Sequence, residues 1–230
     1  MNQALLAPSM MCVPQWRDAE TIINELKQSG VSLLHVDVMD GSFVPNLMLG
    51  TEGVKQLREI GGLPLDVHLM IDRPEDKLAW FDFQPGEYVS IHAESTNHLQ
   101  RALARIRDLG AHPMVALNPA TPLCALEEVI ADVDAILLMT VNPGYAGQAL
   151  VPQTLKKIAR LRAMLNDAGR PEVRIEVDGN VSFANAPAMR AAGADMFVCG
   201  TSSIFHAGGT IAQNTARFMR CLAEGEVRGA

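Results

Sequence analysis

The clearest indication of the fold is the segment Leu33-Leu-His-Val-Asp-Val-Met-Asp-Gly41. Successive side chains of a β-strand point to opposite faces. His35, Asp37 and Met39 therefore share one face, and two valines occupy the other. A strand that is apolar on one face and carries ionisable groups near its end on the other indicates a buried strand that opens into a site.

Similar apolar runs rich in Val, Ile and Leu recur along the chain. Longer amphipathic segments such as Gln15–Ser29 and His98–Leu109 separate them, and each of these two is followed by a glycine suited to a left-handed helix terminus. This alternation of strands and helices predicts a parallel sheet covered by helices. The eight predicted strands are Leu5–Met11, Leu33–Met39, Pro64–Met70, Tyr88–Ala93, Pro113–Asn118, Ala135–Val141, Arg174–Asp178 and Met196–Gly200.

Chain length decides between an open sheet and a closed one. A (β/α)8 barrel typically needs about 250 residues and can form with about 200, and this chain has 230. Eight strand-helix units in that length predict an α/β protein, a (β/α)8 TIM barrel, with residues 1–230 forming a single domain. The active site of such a barrel lies at the carboxyl ends of its strands.

Charge and cysteine content restrict the partners and the compartment. The net charge is −7 and the pI is about 5.3, which argues against nucleic acid and anionic membranes, because both favour clustered Lys and Arg. The four cysteines form no CxxC pair, and neither a signal peptide nor a membrane span is recognisable. We therefore expect a cytoplasmic protein whose thiols are free and mostly buried.

Four potential metal ligands lie near the ends of three predicted strands. His35 and Asp37 come from the second strand, His68 from the third and Asp178 from the seventh. Burying such groups unpaired would cost several kcal/mol each. Two imidazoles and two carboxylates suit one borderline divalent ion, such as Zn, Fe(II), Mn or Co. The sequence thus predicts a metal site at the barrel mouth.

Other strand ends carry methionines and glycine-rich loops. Met39, Met70 and Met139 end three strands, where they either line a substrate pocket or simply fill gaps in the core. The loops Asn142–Gln148, Asp178–Asn180 and Gly200–Ser203 follow the last three strands. Backbone N–H groups of glycine-rich loops bind anions, and the loops after strands seven and eight often bind phosphate in such barrels. The hydroxyls of Thr201 and Ser202 and a following helix N-terminus would add donors.

Taken together, these motifs resemble the ribulose-phosphate 3-epimerase family. The matches run in order along essentially the whole chain, and the His-x-Asp-x-Met-Asp-Gly block is highly specific. The matching segments are Pro8-Ser9, His35–Asn46, Asp66–Met70, Asn142–Gln148 and Glu176–Gly179.

The resemblance implies a barrel of the ribulose-phosphate-binding type and a metal-dependent ketose-phosphate 3-epimerase. Asp37 and Asp178 would be the acid/base pair, and His35, Asp37, His68 and Asp178 would bind one divalent metal. The substrate would be a small phosphorylated ketose, D-ribulose 5-phosphate giving D-xylulose 5-phosphate, and homo-oligomers are common in this family. Ser9, Met39, Met70 and Met139 would line the substrate pocket, and phosphate would contact Gly144, Tyr145, Ala146, Gly147, Gly179, Asn180, Gly200, Thr201 and Ser202.

Three positions depart from the usual pattern of that family. Ala146 and Asn180 stand where many members have glycine, and Gly200-Thr-Ser202 replaces Gly-Ser or Gly-Asn. These residues are more similar to the allulose-6-phosphate 3-epimerase branch, so D-allulose 6-phosphate, giving D-fructose 6-phosphate, is the alternative substrate.

Two other functions compete with epimerisation. Decarboxylases of the orotidine type carry Asp-x-Lys-x-x-Asp on this strand, but here Met39 occupies the Lys position and Ser42 the final Asp position. Without that ammonium group to protonate a carbanion, decarboxylation is disfavoured. The rival from another class is an inactive barrel that only binds a phosphosugar, and the presence of all four candidate ligands argues against it.

Overall fold

Nine strands form one sheet in the computed structural model, which describes residues 3–229. Eight of the strands are parallel to their neighbours, and the short β3 is antiparallel to β2. The strands are β1 (Leu5–Pro8), β2 (Leu34–Asp40), β3 (Leu47–Met48), β4 (Leu65–Met70), β5 (Tyr88–His92), β6 (His112–Leu117), β7 (Ala135–Met139), β8 (Arg174–Asp178) and β9 (Met196–Cys199).

The sheet is closed into a barrel. Its strand order is β1-β9-β8-β7-β6-β5-β4-β2-β3, and a parallel bridge between Ser9 and His35 joins the β1 end to β2. The small β3 pairs with the last residues of β2 at the barrel mouth. The (β/α)8 barrel predicted from the sequence is confirmed.

The helical layer differs from the regular alternation that the sequence predicts. The helices in the described part of the chain are α1 (Ala19–Gln28), α2 (Thr51–Gly61), α3 (Leu99–Asp108), α4 (Gln153–Asp167), α5 (Ala186–Ala191) and α6 (Ile211–Gly229). Short 3₁₀ turns replace a helix after β4 and after β6. Prolines explain both replacements, because Pro74 and Pro85 interrupt the first segment and Pro119 and Pro122 the second.

Several predicted boundaries were one to four residues wrong. The helix expected over Gln15–Ser29 begins as a 3₁₀ turn at Trp16–Asp18 and becomes α-helical at Ala19. The first strand ends at Pro8 rather than Met11, because Met10–Cys12 turns away in a 3₁₀ conformation. These residues leave the sheet at the mouth, where the chain must turn into a loop.

Two apolar layers pack against the two faces of the sheet. The larger core lies between the sheet and its helices and contains outward-facing residues such as Val36, Val38 and Val67. A smaller cluster fills the interior with Leu33, Met114, Ala116, Leu137, Met139 and Met196 among others. The interior is therefore packed below the carboxyl ends of the strands, so ligands reach the barrel from that end.

The burial of the cysteines differs from what the sequence predicts. All four cysteines are free, but only Cys199 is buried, whereas Cys124 is exposed and the other two are partly exposed. The expectation of mostly buried thiols was therefore wrong.

None of the helices in residues 3–229 is both long and apolar enough to cross a membrane.

Candidate active site

Strand register brings the four predicted metal ligands together at the mouth. Asp37 on β2 pairs with His68 on β4, and His35 lies two residues before Asp37 on the same face. Asp178 ends β8, opposite Met139 of β7. One ligand atom from each of the four side chains lies within 4.8 Å of the others, although the residues come from distant parts of the sequence.

The geometry of this cluster fits a divalent cation. His35 Nε2 is 3.2 Å from Asp37 Oδ1, and His68 Nδ1 is 3.5 Å from the same oxygen and 3.8 Å from Asp178 Oδ2. Both imidazoles are fully buried, and His68 Nδ1 has no hydrogen-bond partner within the described residues. A buried ring nitrogen that lacks a partner and faces carboxylate oxygens is satisfied by a shared metal ion. The two imidazoles and two carboxylates therefore fit the divalent metal ion that the sequence predicts.

The pKa values of the two carboxylates in the cluster are shifted in opposite directions. Burial alone would raise the pKa of Asp37, but the charge and hydrogen bond of His35 and the nearby His68 outweigh it and lower the pKa well below its usual range. Burial raises the pKa of Asp178, and the charge of Asp37 adds to this rise. Paired groups whose environments separate their pKa values can act as one acid and one base.

A hydroxyl group orients one of these carboxylates. Ser9 Oγ donates a hydrogen bond of 2.9 Å to Asp37 Oδ2. The other oxygen, Oδ1, faces the two histidines. Ser9 is buried at the end of β1, so it restrains the direction of the Asp37 carboxylate from inside the barrel.

Two buried acids below the cluster were missed by the sequence analysis. Asp66 Oδ2 lies 2.5 Å from His35 Nδ1, which leaves His35 Nε2 directed at the metal cluster. Glu176 is buried beside Asp66, and burial together with the charge of Asp66 raises the pKa of Glu176 well above its usual range. The signal was present in the sequence, because these acids precede His68 and Asp178 by two residues and share their faces.

A third histidine supports His68 from the side opposite the cluster. His92 ends β5 and is fully buried, and its Nε2 lies 2.8 Å from His68 Nε2. His92 Nδ1 lies 3.3 Å from Glu94 Oε2. Burial lowers the pKa of His92 to about 4. At the end of its strand, His92 therefore contacts a candidate metal ligand rather than lining the cavity.

The charge state of Glu94 follows from its own partners. Burial would raise the pKa of Glu94, but hydrogen bonds from His92, Thr121 and the Asn118 backbone outweigh it and lower the pKa to about 2. Glu94 is therefore an ionised acceptor at neutral pH.

A cavity of about 200 Å³ opens beside the cluster at the carboxyl ends of the strands. Both acid/base candidates, Asp37 and Asp178, line it. So do all the residues predicted to contact substrate or phosphate: Ser9, Met39, Met70, Met139, Gly144, Tyr145, Ala146, Gly147, Gly179, Asn180, Gly200, Thr201 and Ser202. Residues that the sequence analysis did not assign complete the wall: Met11, Cys12, Val141, Asn142, Pro143, Gln148, Val181 and Val198.

The three strand-end methionines both pack in the core and line the cavity, the two alternatives that the sequence left open. Met39 and Met70 form a small apolar cluster with Val44 at the mouth. Met139 packs into the interior cluster that fills the barrel. Each of them nevertheless presents part of its surface to the cavity. They are core residues that also line the site.

The loop after β7 is held from both sides. Asn46 Nδ2 donates to the Gly144 carbonyl at 2.8 Å, and the Tyr145 hydroxyl donates to the Pro45 carbonyl at 2.6 Å. On the other side, Asn180 Nδ2 donates to the carbonyl of Gln148 at 2.9 Å. The loop therefore connects the segment after β2 with the segment after β8, and together they shape one end of the cavity.

One part of the predicted phosphate site is not formed as expected. The chain after Gly200 continues as turns, and α6 begins only at Ile211. The helix N-terminus expected directly after this loop is therefore absent from that position. Gly208 and Gly209 lie between the loop and the helix, and glycine is unfavourable in a helix interior.

Gly179 is required by its backbone conformation and by its neighbours. Its φ is +108°, and an added Cβ would lie 2.5 Å from Val141 Cγ2 and 2.8 Å from the Val141 backbone nitrogen. Any side chain there would push the loop after β8 away from the loop after β7. A glycine is the residue that allows these two walls of the cavity to approach closely.

We expect Gly179→Ala to lower the free energy of unfolding through both backbone strain and overlap. A matched control is Gly110→Ala, whose φ is +90° but whose added Cβ meets no atom within 4 Å. The control should lose about 1 to 3 kcal/mol from strain, and Gly179→Ala a further 1 to 3 kcal/mol from overlap. Urea unfolding of both variants measures the difference. Equal losses would contradict the close approach at Val141.

The fold and the site together define a class of TIM-barrel enzyme: a closed barrel with a His₂Asp₂ cluster beside a cavity walled by glycine-rich loops. Residues 5–205 match the model of the ribulose-phosphate 3-epimerase family. The chain belongs to the ribulose-phosphate 3-epimerase family, as its motifs predicted.

Curated relatives match most of the chain. The ribulose-phosphate 3-epimerase of Bacillus subtilis is 40% identical over 200 residues, covering 86% of this chain and 90% of that protein. The Escherichia coli enzyme of the same name is 41% identical over 207 residues, covering 89% and 90%. The chloroplastic ribulose-5-phosphate-3-epimerase of Arabidopsis thaliana is 46% identical over 208 residues, covering 90% and 73%.

Solved structures share the fold at much lower identity. The 3-keto-L-gulonate-6-phosphate decarboxylase of Vibrio cholerae has a TM-score of 0.70 at 11% identity, covering 96% of this chain and 98% of that one. The 3-hexulose-6-phosphate synthase of Salmonella typhimurium has a TM-score of 0.65 at 16% identity, covering 96% and 99%. This likeness concerns the barrel alone.

Proposed function

We propose that this protein is an isomerase that inverts carbon 3 of a ketose phosphate and interconverts D-ribulose 5-phosphate and D-xylulose 5-phosphate. One observation carries the proposal: two carboxylates, Asp37 and Asp178, line one cavity beside a donor set for a metal. The identities of about 40% to relatives named for this reaction support the choice of substrate.

A single divalent ion is the cofactor in this proposal. His35, Asp37, His68 and Asp178 would hold it, and their nitrogen and oxygen donors suit Zn, Fe(II), Mn or Co. When bound, such an ion supplies Lewis-acid stabilisation to the negative charge that develops on the ketone oxygen.

The protein's own task is to move a proton between two faces of one carbon. A single base cannot easily reach both faces, so inversion calls for two groups on opposite sides. In our proposal Asp37 and Asp178 are these two groups, one removing the proton of carbon 3 as a carboxylate and the other delivering a proton as a carboxylic acid. Their roles exchange in the reverse reaction. The Ser9 hydroxyl keeps Asp37 oriented through its 2.9 Å hydrogen bond.

The rest of the cavity would bind the substrate. We assign the sugar carbons to Met39, Met70 and Met139, because these apolar side chains line the same cavity as the two carboxylates. The phosphate would lie against the backbone of the loops at Gly144–Gly147, Gly179–Asn180 and Gly200–Ser202, where backbone N–H groups can donate without side-chain charge.

The assembly into a homo-oligomer and the cytoplasmic location stay predictions.

A ketohexose phosphate is the second candidate substrate. Asn180 has φ +45°, a conformation that Asn tolerates better than most residues, and its amide lines the cavity and anchors the loop after β7. A side chain at this position gives the cavity end a polar wall that glycine would lack. Because the wall adjoins the phosphate loops, it would affect the fit of a substrate one carbon longer.

We expect the protein to exchange the hydrogen at carbon 3 of ribulose 5-phosphate with deuterium in D₂O and to form xylulose 5-phosphate. NMR spectra recorded during turnover measure both events. The same assay with allulose 6-phosphate separates the two candidate substrates by their kcat/KM values. A folded, metal-loaded protein that exchanges neither substrate would contradict the epimerase function and would favour a barrel that only binds phosphosugars.

A further inference from the structure

The Nε2 atoms of His68 and His92 lie 2.8 Å apart, and the ring that donates in this hydrogen bond decides which nitrogen of His68 is free for a metal ion. We propose that His92 and Glu94 are positioning residues that hold His68 in the tautomer whose Nδ1 carries no proton. This inference rests on the metal site of the proposed function and assigns a role to two residues outside it.

The two sides of the His68 ring face different partners. Nδ1 faces the carboxylates of Asp37 and Asp178, and Nε2 lies 2.8 Å from Nε2 of His92. A neutral imidazole has one protonated and one free nitrogen. If Nδ1 is to bind a cation, the proton of His68 must be on Nε2, and His92 Nε2 must accept it.

The ring geometry favours such a bond over face-to-face stacking. The ring centroids of His68 and His92 are 5.0 Å apart, and the ring planes differ by 27°. With the two Nε2 atoms only 2.8 Å apart, the rings meet edge to edge and are nearly coplanar. An N–H group of one ring therefore points at the lone pair of the other.

The orientation of His92 is set by Glu94. Since His92 Nε2 accepts, the proton of His92 must be on Nδ1, which lies 3.3 Å from Glu94 Oε2. The other oxygen, Oε1, accepts from the backbone N–H of Asn118 at 2.8 Å and from the hydroxyl of Thr121. An ionised carboxylate only accepts hydrogen bonds, so Glu94 permits one tautomer of His92 and excludes the other.

The surroundings keep this arrangement rigid. His92 is fully buried, and the ring of Phe43 packs against it with centroids 4.7 Å apart. Lys157 Nζ donates to the Asn118 carbonyl at 2.7 Å, which restrains the backbone whose N–H holds Glu94. Outer residues of this kind commonly fix the tautomer of metal-binding histidines.

Glu94→Gln is the sharpest test, because it preserves size while replacing one acceptor by a donor. The backbone N–H of Asn118 can only donate, so the amide oxygen of the new side chain must face it. The amide NH₂ group then points at His92 Nδ1 and forces the His92 proton onto Nε2. His68 must respond by protonating Nδ1, the nitrogen that the metal needs.

The experiment uses zinc alone as the probe. We expect Glu94→Gln to bind zinc about 10 to 100-fold more weakly than the wild type, measured by equilibrium competition with a chelator. Glu59→Gln, an exposed position on α2, makes the same change of charge and should bind zinc like the wild type. Equal affinities of the wild type and Glu94→Gln would overturn the proposal.

A second measurement needs no variant. In ¹H–¹⁵N spectra of the zinc-loaded wild type, we expect zinc on His68 Nδ1, the His68 proton on Nε2 and the His92 proton on Nδ1. A His92 proton on Nε2 would overturn the proposal even if Glu94→Gln does not fold. A wild-type protein that binds no zinc would contradict the metal site itself, whereas bound zinc with the other tautomer contradicts only the role of His92 and Glu94.

Discussion

Asp37→Asn and Asp178→Asn are each expected to reduce kcat for epimerisation by about 100 to 10,000-fold, the range that a positioned acid or base contributes. Asparagine preserves the size of the side chain and one oxygen donor, but it neither takes up nor delivers a proton. A coupled assay of xylulose 5-phosphate formation measures the loss. Urea unfolding should show that both variants remain folded.

Isotope exchange distinguishes two bases from one. Each variant still has one carboxylate on one face of carbon 3, so it should exchange deuterium into only one of the two epimers. The two variants should retain exchange with opposite epimers. Asp108→Asn at the exposed end of α3 removes an equal charge away from the site and should behave like the wild type. Near-normal epimerisation in either active-site variant would contradict the two-base scheme.

Removal of divalent ions is expected to lower activity at least about 100-fold, because metal charge stabilisation contributes several kcal/mol. Without a cation, His68 Nδ1 has no hydrogen-bond partner among the described residues, and the carboxylates of Asp37 and Asp178 lie close together. The measurement is turnover after dialysis against a chelator, followed by addition of Zn, Fe(II), Mn or Co.

The control for that experiment separates metal loss from damage to the protein. Metal analysis should show that activity follows the amount of bound ion through removal and restoration. Unfolding curves recorded before and after dialysis report whether the barrel survives without metal. Full activity in a protein without bound ion would contradict the cofactor assignment.

Alternation along single strands made a large part of the site predictable. Side chains two residues apart on a strand share a face, so His35 and Asp37 were placed together without any structure. The same rule applies to Asp66 with His68 and to Glu176 with Asp178, although the two buried acids were overlooked. The glycine-rich loops were predictable because their composition is local.

Contacts across strands were not predictable in this way. His68 and His92 are 24 residues apart, and His35 and Asp66 are 31 apart. Their contacts depend on the register between neighbouring strands, which the pattern of a single strand does not specify. The absence of a regular helix after β4 and after β6 also escaped prediction, because the alternation of strands and helices was expected to continue through segments that prolines interrupt.

The barrel, the strand faces that carry the chemistry and the family of the protein follow from the amino-acid sequence alone, because each depends on local periodicity or on residues in a fixed order. The folded barrel was needed to show which nitrogen of His68 faces the carboxylates and which buried acids and histidine lie behind the cluster. These depend on how strands align and on where buried protons can go, and both are properties of the assembled barrel.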